Sequence, residues 1–412
     1  MKIGYACIPL KIPNRTNRSF SIKNYNETLL TEKINSNLDD LLKILKYNIS
    51  NDIYLFRIAS DIIPFGSHPI NNFNWSYEFK DKLKIIGNFI KKNNIRVSMH
   101  PGQYTVINSN NSDTVKKSIK DLEYHTKFLD SFDLDNKHKI ILHIGGIYND
   151  KPTAINNFIN TYNSLPLNIK NRLVIENDEK NYSIDDLIYI SEKCSIPIVY
   201  DNLHNYCFKG FYENPCSILS KIKHSWKCTD GNIKVHYSEQ DINKKQGSHS
   251  FTITSQKILD YILETQNFDI DIMLEVKDKD FSAIKAINLF KEYNKLTNIL
   301  DIKNELTAYE FYLKEKDKFA YEKGEYLLNT YGFNKFYSFI ESFYYKTSNE
   351  DTYILTLKEI YFKLEPLLSN FEINHFNKLI QNKDFIKGKN YLYKLCQKKN
   401  LYNMISMYYF YV

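Results

Sequence analysis

The chain has 412 residues and carries 55 Lys and Arg against 48 Asp and Glu, a net charge of +7. That length suits one large α/β domain plus an appendage, and so modest a basic excess suits a polyanionic partner without requiring one. The six cysteines are scattered with no C-x-x-C pair, which excludes a zinc knuckle and a disulfide framework, and no run reaches the roughly 18 apolar residues of a membrane span.

Strand-like apolar runs alternate with helical stretches up to about residue 295. Residues 3–8 predict the first strand. Residues 29–49 predict the first helix, where Leu38, Leu41, Leu42, Leu45 and Ile49 recur at helical spacing. Strand 53–58 follows, then the loop DIIPFGSHP and helix 79–92. The third strand, 95–100, alternates Ile95, Val97 and Met99 and ends on His100; Pro101-Gly102 then turns the chain, so Gln103 and Tyr104 lie on the loop beyond. Helix 113–133, strand 139–143, a Gly145-Gly146 break and helix 154–165 come next. The remaining pairs are 173–176 with 183–194, 197–201 with 214–223, 233–237 with 254–265, and 270–276 with 281–293. Eight such units in roughly 290 residues is the arithmetic of an α/β fold of the (β/α)8 TIM-barrel type. The rival, a doubly wound open sheet, usually has fewer strands, and no G-x-G-x-x-G follows the first strand.

Beyond about residue 300 the strand runs stop. Segments 306–330, 333–345 and 352–368 are helical in pattern, dense in Tyr, Phe and Lys, and punctuated by Pro366 and Gly388. The expected division is therefore a barrel domain over 1–298 and a helical C-terminal extension over 299–412. The aromatics of the extension are read as packing surface rather than base-stacking platforms.

Polar residues gather at the strand ends. The second strand carries Arg57; the third to sixth end on His100, His143, Glu176 and Asp201; the seventh holds Lys234 and His236, and the eighth Glu275. In a barrel these ends converge on one face, where active sites sit. His204 follows Asp201 on that face, and His68 and His249 lie on further loops that follow strands. Converging carboxylates repel and take up protons unless a cation neutralises them. Imidazole nitrogen mixed with carboxylate oxygen suits Mn²⁺, Zn²⁺ or Fe²⁺ rather than calcium. The candidate ligands suffice for more than one ion, and adjacent ions bridged by a carboxylate are the standard device for phosphodiester hydrolysis.

On these residues the chain resembles the ultraviolet-damage endonucleases of the UVDE/UvsE type, relatives of the endonuclease IV class of abasic-site nucleases. The matching stretches are GYACIPL with TNRSF, LFRIASDIIPFGSHP, RVSMHPGQY, LHIGG, VIENDE, VYDNLHN, KVHYSEQD with KKQGSHSF, and IMLEVKDKD, in order up to about residue 290. The resemblance implies nicking of damaged double-stranded DNA immediately 5′ to cyclobutane pyrimidine dimers, 6-4 photoproducts and abasic sites, leaving a 3′-hydroxyl. It implies two to three divalent ions, with Mn²⁺ the usual one. His100, His143 and Glu176 would form one site; Glu176, Asp201, His236 and Glu275 a second, bridged by Glu176; and His204 with His249 would belong to a third.

The resemblance also carries over catalytic roles for Glu176, Glu275, Lys234 and His68. His68 would line the pocket, and Lys234 matches a lysine that can be carboxylated in the family. Gln103 and Tyr104 match the pair that enters the duplex at the lesion, and Tyr5 a position near the same pocket. An amide and a ring on a tight loop can fill the gap left when damaged bases leave the stack. Where some members carry an asparagine shortly after that tyrosine, this chain has Ile8-Pro9. Arg15, Arg18, Lys244 and Lys245, on loops of the same face, are expected on phosphates. The expected setting is a monomer with no nucleotide cofactor and no membrane partner. MKIGYACIPL is too short for a signal peptide, so an intracellular (cytoplasmic or nucleoid) location is expected. The alternatives are a metal-dependent sugar isomerase or epimerase on the same barrel and a damage-binding protein that does not cut.

Overall fold

Strands covered on both faces are apolar at most positions, because helices bury one side and the barrel interior the other. In the computed structural model, which describes residues 1–412, eight such strands form: β1 (Ile3–Ala6), β2 (Leu55–Ile58), β3 (Arg96–Met99), β4 (Lys139–His143), β5 (Leu173–Glu176), β6 (Ile198–Asp201), β7 (Ile233–Tyr237) and β8 (Ile270–Leu274). Each pairs in parallel with its sequence neighbours, and β1 closes on β8. The helices that follow them in the chain are α1 (Glu27–Ser50), α2 (Lys80–Lys92), α3 (Ser112–Asp130), α4 (Lys151–Ser164), α5 (Ile184–Cys194), α6 (Pro215–Ile222), α7 (Ser255–Thr265) and α8 (Asp280–Tyr293). The fold is thus the expected (β/α)8 barrel, and closure leaves no edge strand of the doubly wound kind.

Side chains on a strand alternate between faces. The ones that point into the barrel form layers. At the amino-terminal ends, Arg96 pairs with Asp271 at 2.9 Å and Lys139 with Asp230 at 2.5 Å. The middle layer holds the apolar groups Ala6, Leu55 and Met273, and Ile141, Val174 and Val199, with Lys234 donating to Ser98. The carboxyl-terminal layer carries the candidate ligands. A charged lower layer, a largely apolar waist crossed by the Lys234–Ser98 pair, and a charged mouth therefore occupy one cylinder.

The chain divides into two compact units: Met1–Ile8, Asn14–Ile253 and Tyr261–Lys279 form the first, and Pro9–Pro13, Thr254–Asp260 and Asp280–Val412 the second. The expected boundary at 298/299 falls inside the second unit. There α8 is tied to later helices: Asn288 Nδ2 donates to the Tyr337 hydroxyl at 3.0 Å, and Lys285 meets Glu341 at 3.3 Å.

The expected helix 306–330 is two helices, α9 (Ile299–Lys316) and α10 (Ala320–Tyr331). Asp317 between them is extended, with φ −161° and ψ 146°, and its side chain accepts from the Phe319 N–H at 2.9 Å. This local turn competes with helix continuation. After α11 (Phe333–Glu341) and α12 (Glu350–Leu364), Pro366 stops the chain as expected, in a short 3-10 turn. Gly388 does not punctuate: it is buried inside a helix, Phe385–Lys398.

Candidate metal centre

Glu176 ends β5 and is almost fully buried, with Asp201 at the end of β6 and His236 on β7 beside it. One Glu176 oxygen, Oε1, lies 2.6 Å from His236 Nδ1; the other, Oε2, lies 3.1 Å from His100 Nε2 and 3.5 Å from His143 Nε2. His236 Nδ1 is also 3.1 Å from Glu275 Oε1. Three groups have ligand atoms within 4.8 Å of one another: His100, His143 and Glu176; Glu176, Asp201 and His204; and Glu176, His236 and Glu275. Glu176 is common to all three.

His249 falls outside these groups, but its ring lies 6.2 Å from that of His204, and its Nδ1 donates to the Glu275 carbonyl at 2.5 Å. That bond leaves Nε2 as the bare nitrogen, the tautomer a ligand needs. The expected second set is divided, Asp201 grouping with His204 and Glu275 with His236. His204 itself sits on a short helix, Asn202–Lys209, that the sequence reading left as loop. Asp201 caps that helix by accepting from the His204 N–H at 2.7 Å.

These residues fit divalent cations. Buried polar atoms without a partner include Asp201 Oδ2, His236 Nε2 and His143 Nδ1, and such orphans are rare unless an unplaced ion or water meets them. His100 gives a second sign. Its Nδ1 donates to the Pro101 carbonyl at 3.0 Å, so its bare Nε2 faces the Glu176 carboxylate. Two acceptors held face to face call for a cation between or beside them.

The electrostatics agree. Burial holds the His100 pKa down to about 4, so the ring is neutral. Burial would raise the Glu176 carboxyl, but the charges of His236 and His143 and the bond from His236 hold it well below the ordinary range. Burial also opposes ionisation of Glu275, and the guanidinium of Arg57, paired with it, overrides that and lowers its pKa. Asp201 is pushed up by burial and by Glu176 and Glu275, which outweigh the lowering by His204. The His204 ring, despite burial, is raised to about 9 by Asp201 and Glu176. Lys234 is lowered well below its ordinary value by burial, with Arg96 and Arg57 adding to it. Buried carboxylates that depend on neighbouring charged imidazoles can be neutralised by cations instead, which leaves those imidazoles free to act as ligands.

Tyr5 and His68, both expected near the pocket, make their contacts outside the ligand groups. Tyr5 is fully buried, its hydroxyl donates to Asn48 on α1 at 2.9 Å, and its ring packs edge-on against Phe56. It points out of the barrel, and its small neighbours Gly4 and Ala6 point in. Because both faces of β1 are covered, hydrophobicity along the strand gave no sign of which way Tyr5 faced. His68 is exposed and tied to its own loop, its Nδ1 accepting from the Ile70 N–H at 3.1 Å, and it joins none of the ligand groups.

Gln103 and Tyr104 are exposed, Tyr104 by 83%. Lys244 and Lys245 are exposed on the loop before His249, with Lys244 3.0 Å from Asp241. Arg15 and Arg18 are tied down: Arg15 Nη1 donates to the Asn14 carbonyl at 2.8 Å, and Arg18 Nη2 donates to Asp40 at 2.6 Å.

Two supporting roles were not read from the sequence. Arg57 on β2 pairs with Glu275, directly after β8, past the intervening β1. Asn177 exchanges two bonds with the Asp201 backbone, at 2.8 and 3.1 Å, and its carbonyl accepts from His204 Nδ1 at 3.0 Å. The available signals were an arginine in phase with the inward face of β2 and an asparagine directly after a strand-terminal glutamate. Gly145, after His143, has φ +114°, and a Cβ there would meet the Asn108 side chain at 2.4 Å, so only glycine fits.

Comparison with known proteins places the chain. The family model of UV-endonuclease UvdE matches residues 1–310. A UV DNA damage endonuclease of Clostridium perfringens is 49% identical over 401 residues, 97% of this chain and 96% of that protein. One of Bacillus cereus (strain G9842) is 32% identical over 299 residues, covering 70% of this chain and 94% of that protein. The crystal structure of SacUVDE superposes with a TM-score of 0.68 at 39% identity, over 72% of this chain and all of that one. With strand-end ligands, barrel and relatives in agreement, the chain belongs to the UvdE family of UV-endonucleases.

Proposed function

We propose that this chain is a DNA-repair endonuclease that nicks duplex DNA immediately 5′ to ultraviolet photoproducts, and at abasic sites, by divalent-metal-assisted phosphodiester hydrolysis leaving a 3′-hydroxyl. The observation that carries the reading is the sharing of Glu176 by three ligand groups at the barrel mouth. His100, His143, Glu176, Asp201, His204, His236 and Glu275 would hold two to three ions, with His249 beside them and Mn²⁺ the ion proposed. Such ions lower the pKa of bound water and neutralise charge on the attacked phosphate and the leaving oxygen.

The chain's own residues do the rest. Glu176 and Glu275 are kept ionised by their imidazole and guanidinium neighbours, so they are ready to bind cations without first losing a proton. Lys234, with its ammonium disfavoured, supplies the uncharged amine that a carbamate requires. Gln103 and Tyr104 stand clear of the barrel to enter a duplex weakened at the lesion, where opening costs less than in intact DNA. Lys244 and Lys245 meet phosphates. No helix is long and apolar enough to cross a membrane, and we take the working form to be a monomer without a nucleotide cofactor.

The test is nicking of irradiated against undamaged duplex, with chelator and after adding back Mn²⁺. Cleavage confined to the irradiated, metal-supplied duplex is expected. Binding without cleavage at full metal occupancy would overturn the catalytic reading, and absence of salt-sensitive binding would favour a sugar isomerase, which needs neither a protruding turn nor a basic loop.

A further inference from the structure

The turn carrying Gln103 and Tyr104 is fastened at its base to one face of α3. Gln103 and Tyr104 are its two central residues, and the Thr105 N–H closes it by donating to the Gly102 carbonyl at 2.9 Å. Both are exposed, but Thr105 directly behind them is buried, and its hydroxyl donates to Asp121 Oδ2 at 2.7 Å. The next residue, Val106, donates its N–H to Ser118 Oγ at 3.0 Å. One turn further along α3, His125 Nε2 lies 3.0 Å from Ser60 Oγ, which lies 2.8 Å from the carbonyl oxygen of His100. The Tyr124 hydroxyl donates to the Ser60 carbonyl at 2.7 Å. Ser118, Asp121 and His125 are spaced three and four apart, as a single helical face requires. The same helix therefore grips the protruding turn and the strand end that bears a candidate metal ligand.

We infer that Asp121, acting through Thr105, is a positioning residue that holds Gln103 and Tyr104 at a fixed reach from His100, so that lesion opening and cleavage occur in one rigid frame. This rests on the reading that the turn enters the duplex. The physical reason is pre-organisation. A turn pushed into a base stack must resist the load, and a loose turn loses freedom on insertion that a braced one has already lost. A hydroxyl bonded to a carboxylate is a strong brace, because the acceptor is charged.

The test uses the full-length metal-loaded chain on two substrates: a paired duplex with one pyrimidine dimer, and the same dimer opposite an unpaired bubble, where opening is already done. Thr105→Val removes the hydroxyl at nearly constant shape, Thr105→Ser keeps it, and Asp121→Asn removes the charge. For Thr105→Val and Asp121→Asn we expect KM on the paired duplex to rise by about tenfold, the scale of one lost charged hydrogen bond. Their kcat and bound Mn²⁺ should not change, and the bubble substrate should restore wild-type KM. Thr105→Ser should behave as wild type. If Thr105→Val fails to fold, Ser118→Ala, which frees the Val106 N–H, gives the same contrast.

Unchanged KM on the paired duplex, or equal loss on both substrates, overturns the proposal. Gln103→Ala combined with Tyr104→Ala separates it from its premise. If that pair leaves nicking intact, the entry of the turn into DNA fails; if the pair is impaired while Thr105→Val and Asp121→Asn are not, only the bracing role fails.

Discussion

Glu176 and His236 meet at the centre of the barrel mouth, Oε1 to Nδ1 at 2.6 Å, although they stand on strands separated by β6. The imidazole lies between Glu176 and Glu275, and its second nitrogen has no partner. Glu176 in turn spends its other oxygen on His100 and His143. Removing this one carboxylate therefore disturbs every ligand group together. Glu176→Gln is expected to lower nicking by more than about 100-fold, the upper range for residues that only support ligands, and to reduce bound Mn²⁺ per chain. Elemental analysis beside a nicking assay checks both; retention of either would count against Glu176 as the shared ligand.

Arg57 neutralises Glu275 by direct pairing, and both side chains are only 12% exposed. Arg57→Met leaves that carboxylate buried without its guanidinium partner. The expected cost in metal-free protein is about 3 kcal/mol, as for other broken buried pairs. Saturating Mn²⁺ should recover part of it by supplying the missing positive charge. Thermal unfolding with chelator and with Mn²⁺ measures the difference, and equal losses under the two conditions would show that Arg57 serves the barrel rather than the centre.

His138 supplies an acid-sensitive element far from the mouth. Its Nδ1 accepts from the Val97 N–H at 3.1 Å, and burial lowers its pKa to about 3, with Arg172 and Arg96 assisting against Asp135. The unfolded chain protonates this ring near its ordinary 6.5 while the folded chain does not. Its contribution is thus fully present above that pH and is lost as the pH falls toward the folded value, at up to about 1.4 kcal/mol per pH unit. His138→Gln should flatten the stability profile between those limits, as read by denaturant unfolding at a series of pH values. An unaltered acid slope would mean that other groups govern it.

Lys245 is exposed and Lys244 is held partly by Asp241. If each meets a phosphate, replacing it with Ala lowers the slope of log K against log salt by about 0.9. Lys245→Ala should show the full decrement and Lys244→Ala a smaller one. Titration of irradiated duplex over a range of salt concentrations decides it. A uniform loss of affinity with no change in slope would place these lysines off the backbone.

Barrel, strand order and the ring of candidate ligands were legible in the chain itself. Parallel strands must alternate with crossover helices, and a residue that ends such a strand has one face to point toward. His100, His143, Glu176, Asp201 and Glu275 needed no more than that. What only the tertiary structure decided is which residues on covered surfaces face one another. Tyr5 turns outward to Asn48, a direction that β1, apolar on both sides, does not reveal. His68 stayed with its own loop. Arg57 found Glu275 across 218 positions of chain, and Thr105 found Asp121 on a helix whose polar residues read as ordinary surface. Periodicity records a residue's direction relative to its own element; the partner it meets depends on how elements pack, which no local pattern contains.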